Sequence, residues 1–147
     1  MKPDSSFDER YKRLLWLREL GYQVGSGHIV GLPGQTPEII ADDILLFDEL
    51  DLDMIGIGPF IPHKDTPLAN SAPGEQEMTL KTLALTRIVT GNAHMPATTA
   101  LGSIDPEGRQ KGLRVGANVI MPNMTPARFR KLYEIYPNKV CVEENPM

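Results

Sequence analysis

The chain has 147 residues, 41% of them hydrophobic and 23% charged, which suffices for one domain (residues 1–147) with a modest core and leaves no room for a second of ordinary size. Nineteen Asp and Glu against fifteen Lys and Arg leave a formal charge of -4 without a basic run, so neither nucleic acid nor an anionic membrane is an expected partner. No apolar run approaches the roughly 20 residues of a membrane span, no signal segment is evident, and the single Cys141 excludes an internal disulfide framework, so a soluble cytoplasmic protein acting with small molecules or proteins is expected.

Asp4, Ser5 and Ser6 offer an N-cap to a run with Phe7, Tyr11, Leu14 and Leu15 on one face, and a first helix is expected over about residues 7–20, ended at Gly21. Residues 22–30 form a glycine-bearing strand candidate. Thr36-Pro37 reads as N-cap and first position of a second helix, striped by Ile40, Ile44 and Phe47 to about Leu50. A strand at 54–58 is stopped by Pro59. The loop that follows, 61–77, holds Pro62, Pro67 and Pro73 and has a length often used for function. Leu80, Leu83, Ala84 and Ile88 stripe a third helix from Met78 or Thr79 to Gly91-Asn92. Then come a strand at 95–100, a short helix between Pro106 and Gly116 weakened by Gly108 and Gly112, and a strand at 117–121. Thr125-Pro126 opens a last helix, in which Phe129, Leu132, Tyr133 and Tyr136 form the apolar stripe and Pro137 is the stop. Residues 140–142 extend as a weak strand.

A helix followed by four strand-plus-helix units, with apolar strands lacking clean alternation, indicates an α/β chain with a parallel sheet covered on both faces. A closed eightfold barrel takes about 250 residues, so four units make either a small open sheet or half of a barrel.

Known phosphate loops fail: Gly25-Ser26-Gly27 has Val30 where a dinucleotide fingerprint needs its third glycine, and residues 31–36 lack the lysine of a Walker loop. These glycines read equally as close-approach positions or as turns. His28, His63 and His94 have no paired ligand spacing and suit solvated or hydrogen-bonded histidine, so no metal ligand is assigned. Cys141, between valines, suits a buried inert thiol, and Asp42, Asp43, Asp48, Glu49, Asp51 and Asp53 suit a solvated helix face. More informative are the C-terminal ends of the expected strands, where parallel sheets bind ligands: residues 29–31, 59–62, Thr98-Thr99 and 121–123. They offer no nucleophile and no general base, so chemistry there needs a cofactor; plain strand-to-loop transitions are the alternative.

Residues 27–36, with the pattern Gly27-x-Ile29-x-Gly31, resemble the fifth-strand motif of radical S-adenosylmethionine enzymes. Together with 55–63, 65–69, 96–100 and 116–123, they resemble the HydE-type members of that family, iron-iron hydrogenase maturases related to biotin synthase, over about residues 3–145. The resemblance implies a partial (β/α) barrel whose four parallel units match strands 5 to 8 of a TIM-type barrel. It implies S-adenosylmethionine and a four-iron four-sulfur cluster in the full-length enzyme, generating a 5′-deoxyadenosyl radical that attacks a small-molecule precursor. Carried over by position, Ile29 and Gly31 line the methionine side of the cofactor cleft, and the main chain around Pro59 and Ile61 faces the adenine. Thr98, Thr99, Met121, Tyr133 and Tyr136 match positions around adenosyl and substrate groups; the two tyrosines equally satisfy a packed helical stripe.

The departure is the absence of the family's C-x-x-x-C-x-x-C cluster loop, which one cysteine cannot replace. The chain thus reads as the C-terminal half of such a barrel, inactive alone, whose unpaired edges favour self-association or pairing with a missing N-terminal half. Two alternatives stand beside this: a non-catalytic, self-associating half-barrel that binds a small ligand, and a fragment of a biotin-synthase-like radical enzyme.

Overall fold

The computed structural model describes residues 6–140. The chain runs α1 (Phe7–Glu19), β1 (Gly25–Val30), α2 (Pro37–Glu49), β2 (Met54–Pro59), α3 (Gln76–Thr90), α4 (Thr99–Ile104), α5 (Gly108–Val115) and α6 (Ala127–Arg130), with a 3-10 turn over Lys131–Tyr133. Local capping explains the first two helices. Ser6 Oγ accepts from Glu9 N–H at 3.2 Å, and Thr36 Oγ1 accepts from Ile39 N–H at 3.4 Å ahead of Pro37 at the first helical position.

β1 and β2 pair in parallel, Ile29 opposite Gly58 and Val30 opposite Pro59. Two further extended segments continue the sheet by single bridges, Met54 with His94 and Pro96 with Val119. The expected strands at 95–100 and 117–121 therefore shrink to bridge pairs. The physical cause at the first is Thr98, whose Oγ1 accepts from Leu101 N–H at 3.4 Å and starts α4 where the strand was expected to continue. At the second, Asn118 competes with the ladder, since its Oδ1 accepts from Met95 N–H at 2.7 Å.

One sheet face carries the core. Ile55 and Ile57 of β2 and Val30 of β1 are fully buried against Ile40, Ile44 and Phe47 of α2 and Leu83 of α3. The other face presents Gly25, Gly27, Ile29, Met54, Gly56 and Gly58, with Ile29 49% and Met54 39% exposed. The sheet is therefore covered on one side rather than both, because glycines supply no apolar area to draw a second layer onto it.

α3 also departs from expectation. It begins at Gln76, and its buried face is Thr79, Thr82, Leu83 and Thr86, while Ile88 is 76% exposed. Each buried threonine donates its hydroxyl four residues back, to Glu75, Met78 and Thr82 carbonyls at 2.8 to 2.9 Å, so its polar atom is satisfied and its methyl packs as a valine's would. In the last helical segment Leu132 is 80% and Tyr133 60% exposed, so these two members of the expected packed stripe stand open, whereas Tyr136 is half-buried against Thr99. Cys141 and Val142, and hence the expected inert thiol and weak terminal strand, lie outside the described residues.

α1 lies apart from this core. Tyr11 and Leu14 touch it, but no α1 residue is buried, and a cavity of about 610 Å³ opens between α1, β1 and α2. Anchorage comes instead from Arg18, which bonds Asp53 at 2.9 Å and the carbonyls of Leu50 and Asp51, and from Tyr11 to Glu49 at 3.1 Å. No helix among the described residues is long and apolar enough to cross a membrane.

Candidate functional site

The C-terminal ends of β1 and β2 are tied together by main chain. Val30 C=O accepts from Phe60 N–H at 2.8 Å, and Phe60 C=O in turn accepts from Gly74 N–H at 2.8 Å. The long proline-bearing loop is thus folded back on the strand ends through Gly74. The approach is too close for any side chain: a Cβ on Gly74 would stand 2.2 Å from Val30 O, and one on Gly31 would stand 2.4 Å from Gly74 Cα. Gly31 also has φ of 91°, which disfavours every other residue type there. The close-approach reading of this glycine holds, with the loop's own backbone as the neighbour.

Beside this junction, Gly58 faces the segment that precedes α4. A Cβ at Gly58 would lie 3.0 Å from Thr98 Oγ1, so Ile29, its register partner Gly58, and Thr98 lie side by side across the sheet. Thr99 turns to the C-terminal region, where its hydroxyl shares a 2.7 Å hydrogen bond with Tyr136. Ser103 extends the contact, donating to Thr99 C=O at 2.8 Å and accepting from Val140 N–H at 3.2 Å. Sequence-selected residues therefore fall into two joined groups. Ile29, Gly31, Pro59 and Ile61 stand at the β1–β2 end, and Thr98 links that end to Thr99 and Tyr136. Met121, 57% exposed, and Tyr133 stand in the more open C-terminal part.

Of the residues that shape this end of the sheet, Phe60 falls within the stretch 59–62 already singled out from the sequence, whereas Gln35 and Gly74 were given no role there. It also read the acidic residues around α2 as a solvated face, whereas several are partnered. Asp43 Oδ2 lies 2.9 Å from His28 Nδ1, with the His28 ring edge-on to Phe47 at 5.3 Å. Asp53 accepts from Val24 N–H at 2.6 Å and pairs with Arg18, and these bonds, the Val24 amide first, hold its carboxyl below the usual range. The signal available was position: Asp53 immediately precedes β2, where it can reach the start of the neighbouring strand.

The chemistry on offer is binding rather than proton transfer. Backbone amides and carbonyls, two threonine hydroxyls, a tyrosine and exposed apolar surface suit a ligand with both polar and apolar parts. On the open sheet face a Cβ at Gly27 would stand 2.0 Å from Gly56 O and one at Gly58 3.0 Å from Thr98 Oγ1, so these two glycines serve close packing within the chain, whereas a Cβ at Gly56 would meet only Ser26 O at 3.9 Å. A thiolate-held iron-sulfur cluster does not fit a chain with a single cysteine, and among the described residues no three His, Cys, Asp or Glu side chains converge on one point.

No protein-family model matches the chain. Over 144 residues it is 57% identical to the [FeFe] hydrogenase maturase subunit HydE of Thermotoga maritima, covering 98% of this chain and 41% of that protein. It is 28% identical over 120 residues to 3-methylornithine synthase of Methanosarcina acetivorans, covering 82% of this chain and 33% of the relative. With biotin synthase of Clostridium acetobutylicum it shares 34% identity over 83 residues, 56% of this chain and 25% of the relative. The chain thus spans about two-fifths or less of these curated relatives. Its fold is that of part of the crystal structure of methylornithine synthase, with a TM-score of 0.71 at 24% identity over 82% of this chain and 35% of that one.

Proposed function

We propose that the chain, which belongs to the HydE-type radical S-adenosylmethionine enzymes and spans 41% of the Thermotoga maritima member, forms one wall of a barrel that binds the nucleoside cofactor and its substrate. The observation carrying this reading is 57% identity sustained across 98% of the chain, strand ends and connecting loops included. In this reading the four parallel segments are strands 5 to 8 of the barrel. When bound, S-adenosylmethionine with a cluster held elsewhere in the longer protein supplies the radical chemistry.

This chain's own residues bind and orient. Ile29, Gly31 and the main chain at Pro59 and Ile61 lie along the cofactor, with Gly58 making room for Thr98 beside them. Thr98 and Thr99, the latter held by Tyr136, present hydroxyls to the reacting partner, and Met121 and Tyr133 add apolar surface around it. The exposed residues of the open face complete their burial against the rest of the barrel, or against a second copy when that is missing. Alone, the chain cannot ligate a cluster and is catalytically silent.

The test is a chimera in which this chain replaces the matching stretch of Thermotoga maritima HydE, assayed for 5′-deoxyadenosine formation and for maturase activity. Both are expected to persist in the chimera. After anaerobic treatment with iron and sulfide, the isolated chain is expected to give neither cluster absorbance nor 5′-deoxyadenosine. A chimera that cleaves S-adenosylmethionine but does not mature hydrogenase would overturn the substrate assignment, and cleavage by the isolated chain would overturn its silence.

A further inference from the structure

Past β2 the chain makes a loop whose two ends are joined and whose body is bonded only to itself. At the neck Phe60 C=O accepts from Gly74 N–H at 2.8 Å, and Phe60 N–H donates to Val30 C=O at 2.8 Å, so the base is fixed to the sheet. Inside the loop Thr66 donates its N–H and its hydroxyl to His63 C=O, at 3.1 and 2.8 Å. Ala69 N–H then donates to Thr66 C=O at 3.1 Å, and Ser71 N–H to Leu68 C=O at 3.0 Å. His63 Nδ1 accepts from Asp65 N–H at 3.2 Å. Among the described residues, every hydrogen bond and ion pair of residues 61–73 ends inside that stretch. A pinched neck and a self-bonded body are the marks of an Ω-loop, a compact unit of roughly 6 to 16 residues. It can tilt about its neck with no hydrogen bond to the rest of the molecule to break.

Across a cavity of about 340 Å³ this loop faces the C-terminal segment. His63 and Lys64 line one side, and Glu134, Tyr136 and Pro137 line the other. Tyr136 is the residue whose hydroxyl meets Thr99 at 2.7 Å, so the cavity leads to one of the two hydroxyls read above as facing the reacting partner. Its two lips carry opposite charge. Among the described residues neither the Lys64 ammonium nor the Glu134 carboxylate has an ion-pair partner. Neighbouring charges are engaged elsewhere: His63 lies 3.8 Å from Asp65, and Lys139 Nζ donates to Tyr133 C=O at 3.1 Å. Lysine is suited to such a reach, because its ammonium rides on a flexible four-carbon stem and needs no fixed approach angle.

We propose that residues 61–73 form a flap that closes the mouth of the site over the reacting partner, latched by Lys64 on Glu134. The proposal rests on the reading of Thr99 as facing that partner. Opposite charges on facing lips favour the closed arrangement, and closure covers the Tyr136–Thr99 pair and excludes water, which keeps a reactive intermediate from side reactions. The neck is what makes the motion hinged rather than diffuse: Gly74 stays against Val30 and Phe60 while the tip carrying Lys64 travels.

The test uses the full-length chimera with the charges at residues 64 and 134 reversed singly and together. Lys64→Glu and Glu134→Lys each set like charges across the cavity, and each is expected to lower kcat/KM for hydrogenase maturation about two- to fivefold. The double reversal restores attraction and is expected to recover most of the loss. Closure itself is read without turnover by a water-soluble carbodiimide, which couples an amine to a carboxylate only when the two touch and so traps even a brief closure. Mass spectrometry of the digest is expected to find Lys64 joined to Glu134, with a yield that falls at about 1 M salt, where the screening length is about 3 Å. Lys64→Arg keeps the charge and is expected to retain turnover while losing the cross-link. A double reversal that shows the sum of its two single losses would overturn the latch. Absence of the cross-link from the unsubstituted chimera would overturn closure. A salt-sensitive cross-link in a chimera that matures no hydrogenase would uphold the flap and overturn the underlying reading of the site.

Discussion

Asp105 shows how a single side chain in this chain can organise several segments. Its carboxylate receives Lys111 Nζ at 2.6 Å, the Gln76 amide and Glu107 N–H, joining the start of α3 to the turn before α5. These bonds, Lys111 first and Gln76 second, lower its pKa from 3.8 to about 2. A carboxyl lowered on folding contributes stability that is fully present above its unfolded value and is lost as pH falls from 3.8 toward 2. Asp105→Asn is accordingly expected to flatten the pH dependence of the urea midpoint within that window and to leave its shape above pH 5 unchanged. An unaltered acid limb would remove Asp105 as its source. Gly74 makes the complementary point about residues with no side chain: its value lies in what stands 2.2 Å from the position a Cβ would take.

Among the elements, α1 is the least supported by burial. Leu15, Trp16 and Leu20 are 40%, 57% and 74% exposed, so apolar packing against the described core contributes little to its placement. The Arg18 fork then decides where the helix sits, because from the last turn of α1 it reaches Leu50, Asp51 and Asp53 in the connection between α2 and β2. Arg18→Ala is expected to cost about 1 to 2 kcal/mol, the range of charged hydrogen bonds that remain partly solvated, and to raise deuterium exchange in α1 well before β2. Uniform protection of α1 and β2 in that variant would show that packing holds the helix. α3 is the opposite case: its threonines bury fully because the helix's own carbonyls satisfy them, and no external partner is needed.

At the scale of the whole molecule, burial is lopsided. The helix-facing side of the sheet is closed, with Ile55, Ile57, Leu83, Met95 and Leu101 at 0% exposure, while Ile29 and Met54 on the other side stay open. Among the described residues β1 pairs with β2 alone, so its outer edge is free for main-chain pairing except where Gln35 closes it. The isolated chain is expected to self-associate in a concentration-dependent way by light scattering, and to form a one-to-one complex when co-expressed with the remaining stretch of HydE. A monomer persisting at high concentration would count against the open face as a driving surface.

The extent to which this was legible follows from the range of each interaction. By itself the sequence determined the α/β class, the cap at Thr36, α2 with its stripe of Ile40, Ile44 and Phe47, and the family resemblance, since all of these depend on residues within a few positions of one another or on order along the chain. Only the tertiary structure decided that Thr98 begins a helix, that α3 buries threonines rather than Ile88, and that Gly74, Phe60 and Gln35 shape the strand ends. Gln35 is the intermediate case: Pro33-Gly34 announces the turn, but the groups that its amide satisfies, Gly31 N–H and Ile29 C=O, become visible only once β1 has a paired edge and an open one. Local free energies of a fraction of a kcal/mol per residue bias each segment, whereas a backbone approach that excludes even a methyl group is a property of two distant segments brought together, and no window of sequence contains both.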